Sequence, residues 1–458
     1  MTATGPRPPR AGRTWPERLA ITGAILAAIL SFLAAGTLVA GFVVVRNREV
    51  VRITNPAATT AATTTTAAPS GPTSSTAPGQ TTAPAAVTTV PETFPPTDPA
   101  AKNFLLTGAD NGACVDPNSP YAPAFGDAES GRVGERSDTI MVFRVDPAAD
   151  RVAVLSFPRD LYVKIADSNS RSRINSAYRR DDPQRLINTI YENFGIGIDH
   201  YIQVDFCTFK TLVDAVGGVT VPFAYPARDP NTGLNVPTTG CFTFDGDHAL
   251  AYVRSRHYEY EDPPGSGNWT TDATSDLGRI SRQQDFLRRT LSSVLAKGFL
   301  NPSVARGMIS AATGGNVVTD DKLTLAKLME FAGVLRDVEP DSIPSYQIEA
   351  VGRRIGGNAV LEPRIDGENM QAVLAMFRGE TSLADAPVQS FEPTTAPATA
   401  SSPSEPEGTS PPSEATTPAT EAAPPATEAA PATSAAAASG PAENNIGVVP
   451  PRDVDCSG

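Results

Sequence analysis

The chain is 458 residues long and carries 43 prolines and 36 glycines. Most of the prolines lie in two biased segments that cannot build a core, so the length overstates the folded mass. A formal net charge of -13 argues against attraction of the whole molecule to nucleic acid. Any anion it binds must be held by a local arginine pocket working against the mean field.

Residues 1–18 bear Arg7, Arg10, Arg13 and Arg18 and are expected to be cytoplasmic. An uncharged Ala/Leu/Ile/Val/Gly run follows at 19–45. As a helix it is about 40 Å long, enough to cross a bilayer with some tilt. Both flanks are basic, which weakens the positive-inside signal. A cleaved signal peptide is the competing reading, but the run exceeds a usual h-region and no clear cleavage site follows. The expectation is one uncleaved transmembrane helix at the cell membrane, with the bulk of the chain outside. Residues 46–100 read as a disordered Thr/Ala/Pro tether, too poor in apolar surface to offset ordering entropy.

The folded part is expected at 101–381. KNFLLTGAD, RSDTIMVFRV and RVAVLSFPRD read as strands. Helical patterning at Gln184–Phe194 precedes the strand HYIQVDF and a helix from Thr208 to Val216 closed by Gly217-Gly218. Further helices are expected at Asp247–Arg254, Arg279–Ala296, Pro302–Ala312, Leu323–Leu335 and Gly367–Met376. Strands interleaved with helices predict an α/β (α+β) fold, a mixed central β-sheet flanked by helices. Residues 382–445 return to Pro/Ala/Thr/Glu composition, with PATEAAP repeated at 418–424 and 425–431. The close at 446–458 regains apolar character and is expected to dock back on the domain. Cys114, Cys207, Cys241 and Cys456 have no CxxC or zinc-site spacing, so in an exported domain they predict disulfides. The pairing preferred is Cys207–Cys241, which leaves Cys114 for Cys456.

The chemistry concentrates in DGDHALAYVRSRH and SDLGRISRQQDFLRRTLSSVL. Two arginine clusters, Arg254/Arg256 and Arg279/Arg282, flank an acidic insert. The second opens a helix with Ile280, Leu287, Leu291, Val294 and Leu295 on one face, and Arg279 and Gln283 one turn apart. Guanidinium forks fit phosphate oxygens bidentately, so forks beside an apolar helix suit a phosphorylated head on a greasy body. The alternative is a solvated basic face. Asp110 and Asp138 end and begin successive strands, and two such hard carboxylates suit Mg²⁺; against that, Asp138 caps or pairs with Arg136. Arg159 and Asp160 end a strand, as ligand residues or as a salt bridge. Arg173 offers another cation. No P-loop, dinucleotide fingerprint or serine elbow is present, and His200, His248 and His257 lack metal spacing. Arginines, carboxylates and a metal suit phosphoryl transfer.

In order, NFLLTGAD (103–110), ERSDTIMVFRVDP (135–147), LSFPRDLYV (155–163), RINSAY (173–178), DHYIQVDF (199–206), LVDAVGGVTV (212–221), DGDHALAYVRSRH (245–257) and DLGRISRQQDFLR (276–288) resemble the LytR–CpsA–Psr family, most closely its actinobacterial members. The resemblance implies an extracytoplasmic phosphotransferase. Such an enzyme moves a glycopolymer from a polyprenyl-pyrophosphate carrier to a peptidoglycan hydroxyl, leaving a phosphodiester; the polymer implied is arabinogalactan or a similar wall polysaccharide. It implies Mg²⁺ on Asp110 and Asp138, and pyrophosphate contacts from Arg136, Arg159, Arg173, Arg254, Arg256, Arg279 and Gln283. Arg136, Arg159, Arg254 and Asp276 are the catalytic candidates, and an apolar tunnel would hold the lipid. Three departures stand out: Asn111 where an arginine is usual, Arg173 where lysine is common, and a long acidic insert at 257–275 bearing Trp269. The rival functions are a polyprenyl-pyrophosphate hydrolase and a non-enzymatic wall regulator or scaffold.

Overall fold

The structure, a computed structural model, describes residues 49–58, 100–110, 114, 116–125, 137–298, 301, 304, 317–391, 446–452, 454 and 456. The expected membrane span, most of the tether, the 382–445 tail beyond 391 and most of the expected helix at 302–312 lie outside them. Among the described residues no helix is long and apolar enough to cross a membrane.

The strands run β1 (Glu49–Val51), β2 (Lys102–Ala109), β3 (Ser137–Asp146) and β4 (Arg151–Ser156), then a hairpin of β5 (Tyr162–Lys164) and β6 (Arg171–Arg173). They continue as β7 (His200–Asp205), β8 (Val219–Phe223), β9 (Ala227–Asp229), β10 (Leu234–Val236) and β11 (Gly240–Phe244). Last come β12 (Glu259–Glu261), β13 (Trp269–Thr271), β14 (Val317–Asp320), β15 (Ser345–Gln347) and the hairpin β16 (Ala350–Ile355) and β17 (Asn358–Pro363). The helices are α1 (Gln184–Phe194), α2 (Phe206–Ala215), α3 (Gly246–Arg254), α4 (Asp276–Lys297), α5 (Leu325–Asp337) and α6 (Glu368–Arg378).

A seven-stranded sheet of order β1-β14-β7-β2-β3-β4-β15 forms the centre. It is mixed: β2 pairs parallel with β7 and antiparallel with β3, and β3 pairs antiparallel with β4. Successive side chains on a strand point to opposite faces, and here both faces are covered. Leu105, Val142 and Leu155 pack beneath α1 and α6, against Ile187, Ile190, Val373 and Phe377. Their strand neighbours Phe104, Met141 and Val154 pack on the other face against Phe331 and the α4 residues Leu287 and Leu291. A second core, built from α2, α3 and the β8–β11 pair, adjoins that face.

Local signals explain the helices. In α1, Leu186, Ile187, Ile190 and Phe194 form the buried face, and Gly195 at φ 73° closes it in the left-handed conformation. Asp205 caps α2 by accepting from the Thr208 N–H at 2.8 Å, and Asp245 caps α3 by accepting from that of His248 at 2.9 Å.

Two boundaries differ from the sequence expectation. Residues 49–58, assigned to the tether, belong to the domain: β1 pairs with β14, Ile53 is buried, and the Asn55 carboxamide donates to Asp199 at 2.9 Å. Two valines between charged neighbours give no strand signal, but an open edge at β14 gives them a partner. Residues 382–391, assigned to the tail, also pack, with Leu383 buried and Gln389 bonded to the Gln347 backbone.

The disulfides are Cys114–Cys207 and Cys241–Cys456, which overturns the expected Cys207–Cys241 and Cys114–Cys456 pairs. The reason is topological. Because β2 and β7 are parallel neighbours, residues just beyond their carboxyl ends emerge side by side, and Cys114 and Cys207 have Cα atoms 5.7 Å apart. Cys241 lies on β11 and receives the C-terminal segment, which runs along α4. There the Ile446 N–H donates to Ser281 at 3.2 Å, and Arg289 donates to the Pro451 carbonyl at 3.1 Å. Cys456→Ser opens a link between residues 215 apart in sequence and is expected to lower the melting temperature by about 5–10 °C. Thermal unfolding of the oxidised variant against the parent checks this.

Candidate active site

The carboxyl ends of β2, β4 and β7 and the amino end of β3 share one edge of the sheet, because β2 and β7 run parallel and β3 runs against both β2 and β4. In open α/β sheets that edge is where ligands bind. It gathers Asp110 beyond β2, Asp138 on β3 and Arg159 beyond β4. Arg254 ends α3, while Asp276, Arg279 and Gln283 occupy the first two turns of α4.

Asp138 is the hub. Its Oδ1 lies 2.6 Å from the Arg159 Nη1, and its Oδ2 lies 3.6 Å from Arg254 and 4.0 Å from Arg279. Arg279 also donates to the Asp138 carbonyl at 2.9 Å and pairs with Asp276 at 2.8 Å. Arg159 stands 3.9 Å from Asp276, and Arg254 stands 3.8 Å from Asp110. Burial pushes the Asp138 carboxyl up, but Arg279, Arg159 and Arg254 together hold it well below the ordinary carboxylate range, so it is ionised at neutral pH.

Arg254 has a prepared seat. Its guanidinium lies 4.3 Å from the Phe206 ring centroid and donates to the Ala124 carbonyl. Burial lowers its pKa, and Asp110 and Asp138 oppose that; an arginine stays protonated under such a load. Arg256 is different. Burial and the neighbouring Arg159 and Arg279 charges depress its pKa, Asp138 and Asp276 oppose this only from a distance, and among the described residues no carboxylate is within ion-pair distance of it. The site thus holds more cation than its own acids neutralise, in a protein that is acidic overall.

Beside this cluster opens a cavity of about 230 Å³. Asp138, Arg254, Arg279 and Gln283 form part of its wall, and the rest is largely apolar, including Phe209, Leu212, Leu250, Val253 and Phe286. Gln283 donates to the Val253 carbonyl at 2.9 Å and to Thr139 at 3.2 Å, fastening α4 to α3 and β3 across it.

The structure therefore brings together Asp110, Asp138, Arg159, Arg254, Arg256, Asp276, Arg279 and Gln283. Arg136 and Asn111 lie outside the described residues. Arg173 stands at the border, 3.2 Å from Asp160, which Arg159 also approaches at 3.4 Å. Arg282, grouped with Arg279 on sequence, points away. It is fully buried against Asp272 at 2.9 Å, donates to the Ser255 carbonyl and covers the Tyr258 ring. Asp272 also accepts from the Val448 N–H, so this pair carries the C-terminal segment.

Sequence reasoning missed Asp229. Fully buried, it accepts from the Ser255 hydroxyl at 2.7 Å and from the Arg256 and His257 N–H groups at 3.1 and 3.0 Å. It thereby fixes the turn that presents Arg256, and nothing in RDPNTG marks it. Among the described residues no cluster of three His, Cys, Asp or Glu side chains forms a ready metal cage.

The family model described as LytR_cpsA_psr matches residues 59–375. The chain belongs to the LytR–CpsA–Psr family. Among its LytR–CpsA–Psr relatives, the "Probable cell wall biosynthesis protein LcpB" of Corynebacterium glutamicum is 35% identical over 217 residues, covering 47% of this chain and 47% of that protein. The "Cell wall biosynthesis protein LcpA" of the same organism is 30% identical, covering 55% of this chain and 51% of its own length. The chain thus spans about half the length of these two relatives. The "Polyisoprenyl-teichoic acid--peptidoglycan teichoic acid transferase TagU" of Halalkalibacterium halodurans is 30% identical over 268 residues, covering 58% of this chain and 81% of TagU. Among solved structures, the LytR-Csp2A-Psr enzyme from Actinomyces oris is 24% identical with a TM-score of 0.46, over 60% of this chain and 89% of that one.

Proposed function

We propose that the chain is a membrane-anchored, extracytoplasmic phosphotransferase. It moves a glycopolymer, arabinogalactan or a similar wall polysaccharide, from a polyprenyl-pyrophosphate carrier to a hydroxyl of peptidoglycan. The observation that carries this reading is that Arg159, Arg254, Arg256 and Arg279 gather in one cluster, of which Arg254 and Arg279 form part of the wall of an apolar cavity. Such a site fits a ligand that is a dianion or more at one end and hydrocarbon at the other. The wall-biosynthesis and transferase descriptions of the relatives support the same class. The anchor is the apolar run at 19–45.

The work is divided among the residues. Burying the prenyl chain contributes roughly 0.8 kcal/mol per CH₂, so lipid burial alone can hold the donor. The guanidiniums take over the charge of the pyrophosphate and stabilise the lipid phosphate as it leaves. Asp138 and Asp276 aim Arg159, Arg254 and Arg279 before substrate arrives, so little reorganisation is needed in the transition state. Asp110 and Asp138 both lie within 4 Å of one guanidinium. As an adjacent pair of hard carboxylates, one of them firmly ionised, they fit Mg²⁺ completed by water and phosphate oxygens. When bound, the ion would neutralise further phosphate charge.

A labelled polyprenyl-pyrophosphate saccharide incubated with the full chain tests the reading. Label appearing on added peptidoglycan supports it. Release of free phosphorylated saccharide at the same rate with and without peptidoglycan would make the protein a hydrolase, and no release at all would leave the scaffold reading.

A further inference from the structure

The apolar cavity accounts for one side of the arginine cluster. Across the Asp138–Arg159 ion pair lies a second hollow of about 410 Å³, walled by Arg159, Asp160, Ser172, Arg173, Asn175 and Tyr178 among others. The two hollows share no wall residue. Asp138 lines the first, Arg159 lines the second, and their charged atoms are 2.6 Å apart.

Local sequence builds this cleft. Pro158 leads out of β4 into a turn that leaves Arg159 and Asp160 at the sheet edge, with Leu161 fully buried beneath them. The β5–β6 hairpin then returns the chain, and the Ile174 and Asn175 N–H groups donate back to the Leu161 and Arg159 carbonyls at 2.7 and 3.2 Å. Ile174 and Ala177 are buried, which turns Asn175 and Ser176 outward. Arg173 is held between Asp160 at 3.2 Å and the Ala359 carbonyl at 2.8 Å. Among the described residues, the Asn175 carboxamide and the Ser172 hydroxyl have no hydrogen-bond partner.

The wall chemistry selects the ligand. Asp160 accepts, Arg173 donates, and Asn175 and Ser172 do both. Arg159 and Arg173 in this wall are already paired with Asp138 and Asp160, which leaves little free cation for a second phosphate, whereas mixed donors and acceptors suit a ligand dense in hydroxyls. Position selects its role. Displacement at phosphorus runs in line, so the nucleophile approaches opposite the leaving group. With the lipid phosphate leaving toward the apolar cavity, the attacking hydroxyl comes from beyond the arginines, where this cleft opens.

We propose that the cleft is the acceptor subsite, taking a neutral glycan segment, and that Asp160 receives the proton of the attacking hydroxyl. This rests on the phosphotransferase reading above. The acceptor oxygen forms a bond to the phosphorus that carries the polymer. The anhydride bond to the lipid-side phosphate breaks, and its electron pair leaves on polyprenyl phosphate. The hydroxyl proton passes to the Asp160 carboxylate and then to solvent.

The test uses the full chain in detergent, a soluble peptidoglycan glycan oligomer as acceptor, and a polyprenyl-pyrophosphate saccharide as donor. Asn175→Ala and Ser172→Ala remove side chains that bond to nothing in the described fold. Each is expected to raise the acceptor KM about tenfold, to weaken binding of the glycan oligomer alone by a similar factor, and to leave the donor KM in place. Asp160→Asn is expected to lower kcat about 100-fold at saturating acceptor while the oligomer still binds. A rise in donor KM instead of acceptor KM would assign the cleft to the donor's first sugar and overturn the proposal, as would no change in either. Glycan binding separates the two claims. If wild type turns over donor but its glycan binding ignores Asn175, the cleft assignment alone fails. If Asn175→Ala weakens glycan binding but wild type never cleaves donor, the glycan site stands and the phosphotransferase reading falls.

Discussion

Arg254→Ala is expected to lower the rate of polymer transfer by roughly three orders of magnitude, the scale on which a phosphate-stabilising arginine acts. Arg254 is singled out because its guanidinium approaches both Asp110 and Asp138 and lines the cavity as well. On the proposed function, its removal takes away a charge that would face the pyrophosphate and leaves two acids to repel it. The fold should survive, since Asp138 keeps Arg159 at 2.6 Å and Arg279 at 4.0 Å. Arg254→Lys restores a point charge but not the planar fork, and should recover only part of the loss. Steady-state transfer rates, taken well below the melting temperature of each variant, check both expectations. A variant that melts near the parent yet transfers at the parental rate would remove Arg254 from the mechanism.

The second large effect concerns the lipid. Leu212→Trp places an indole in the wall of the apolar cavity, at a half-buried position where a larger side chain has room to enter. Displacing one five-carbon isoprene unit forfeits about 4 kcal/mol at roughly 0.8 kcal/mol per carbon, close to a thousandfold in affinity. The donor KM should rise on that scale, and a water-soluble pyrophosphate analogue without the prenyl chain should bind as before. Equal loss for both ligands would mean that the substitution damaged the arginine cluster rather than the apolar cavity.

Much of this site is legible in the sequence. NFLLTGAD and RSDTIMVFRV announce adjacent strands, and their antiparallel pairing brings Asp110 and Asp138 to one edge. The α1 bounds follow from apolar spacing and Gly195. What failed was nonlocal. The disulfide pairing depends on β2 and β7 being parallel neighbours, a fact held jointly by segments some 90 residues apart. Arg279 and Arg282 look equivalent in sequence but sit about 60° apart around α4. That angle sends one to Asp138 and the other to Asp272. Asp229 stayed invisible for a related reason: a buried acid accepting backbone N–H groups looks like any loop aspartate until the turn it holds is known. The polar cleft depends on a hairpin folding back over Arg159, and no spacing in RINSAY specifies that return.

The central claim is that one ligand is gripped by arginines at its head and by the apolar cavity along its tail. An experimental structure with a short-chain polyprenyl pyrophosphate bound tests it most directly. The account predicts pyrophosphate oxygens within hydrogen-bonding distance of Arg159, Arg254, Arg256 and Arg279, with the prenyl chain running inward past Phe209, Leu250 and Val253. A diphosphate held elsewhere, or a prenyl chain lying outside that cavity, would contradict it.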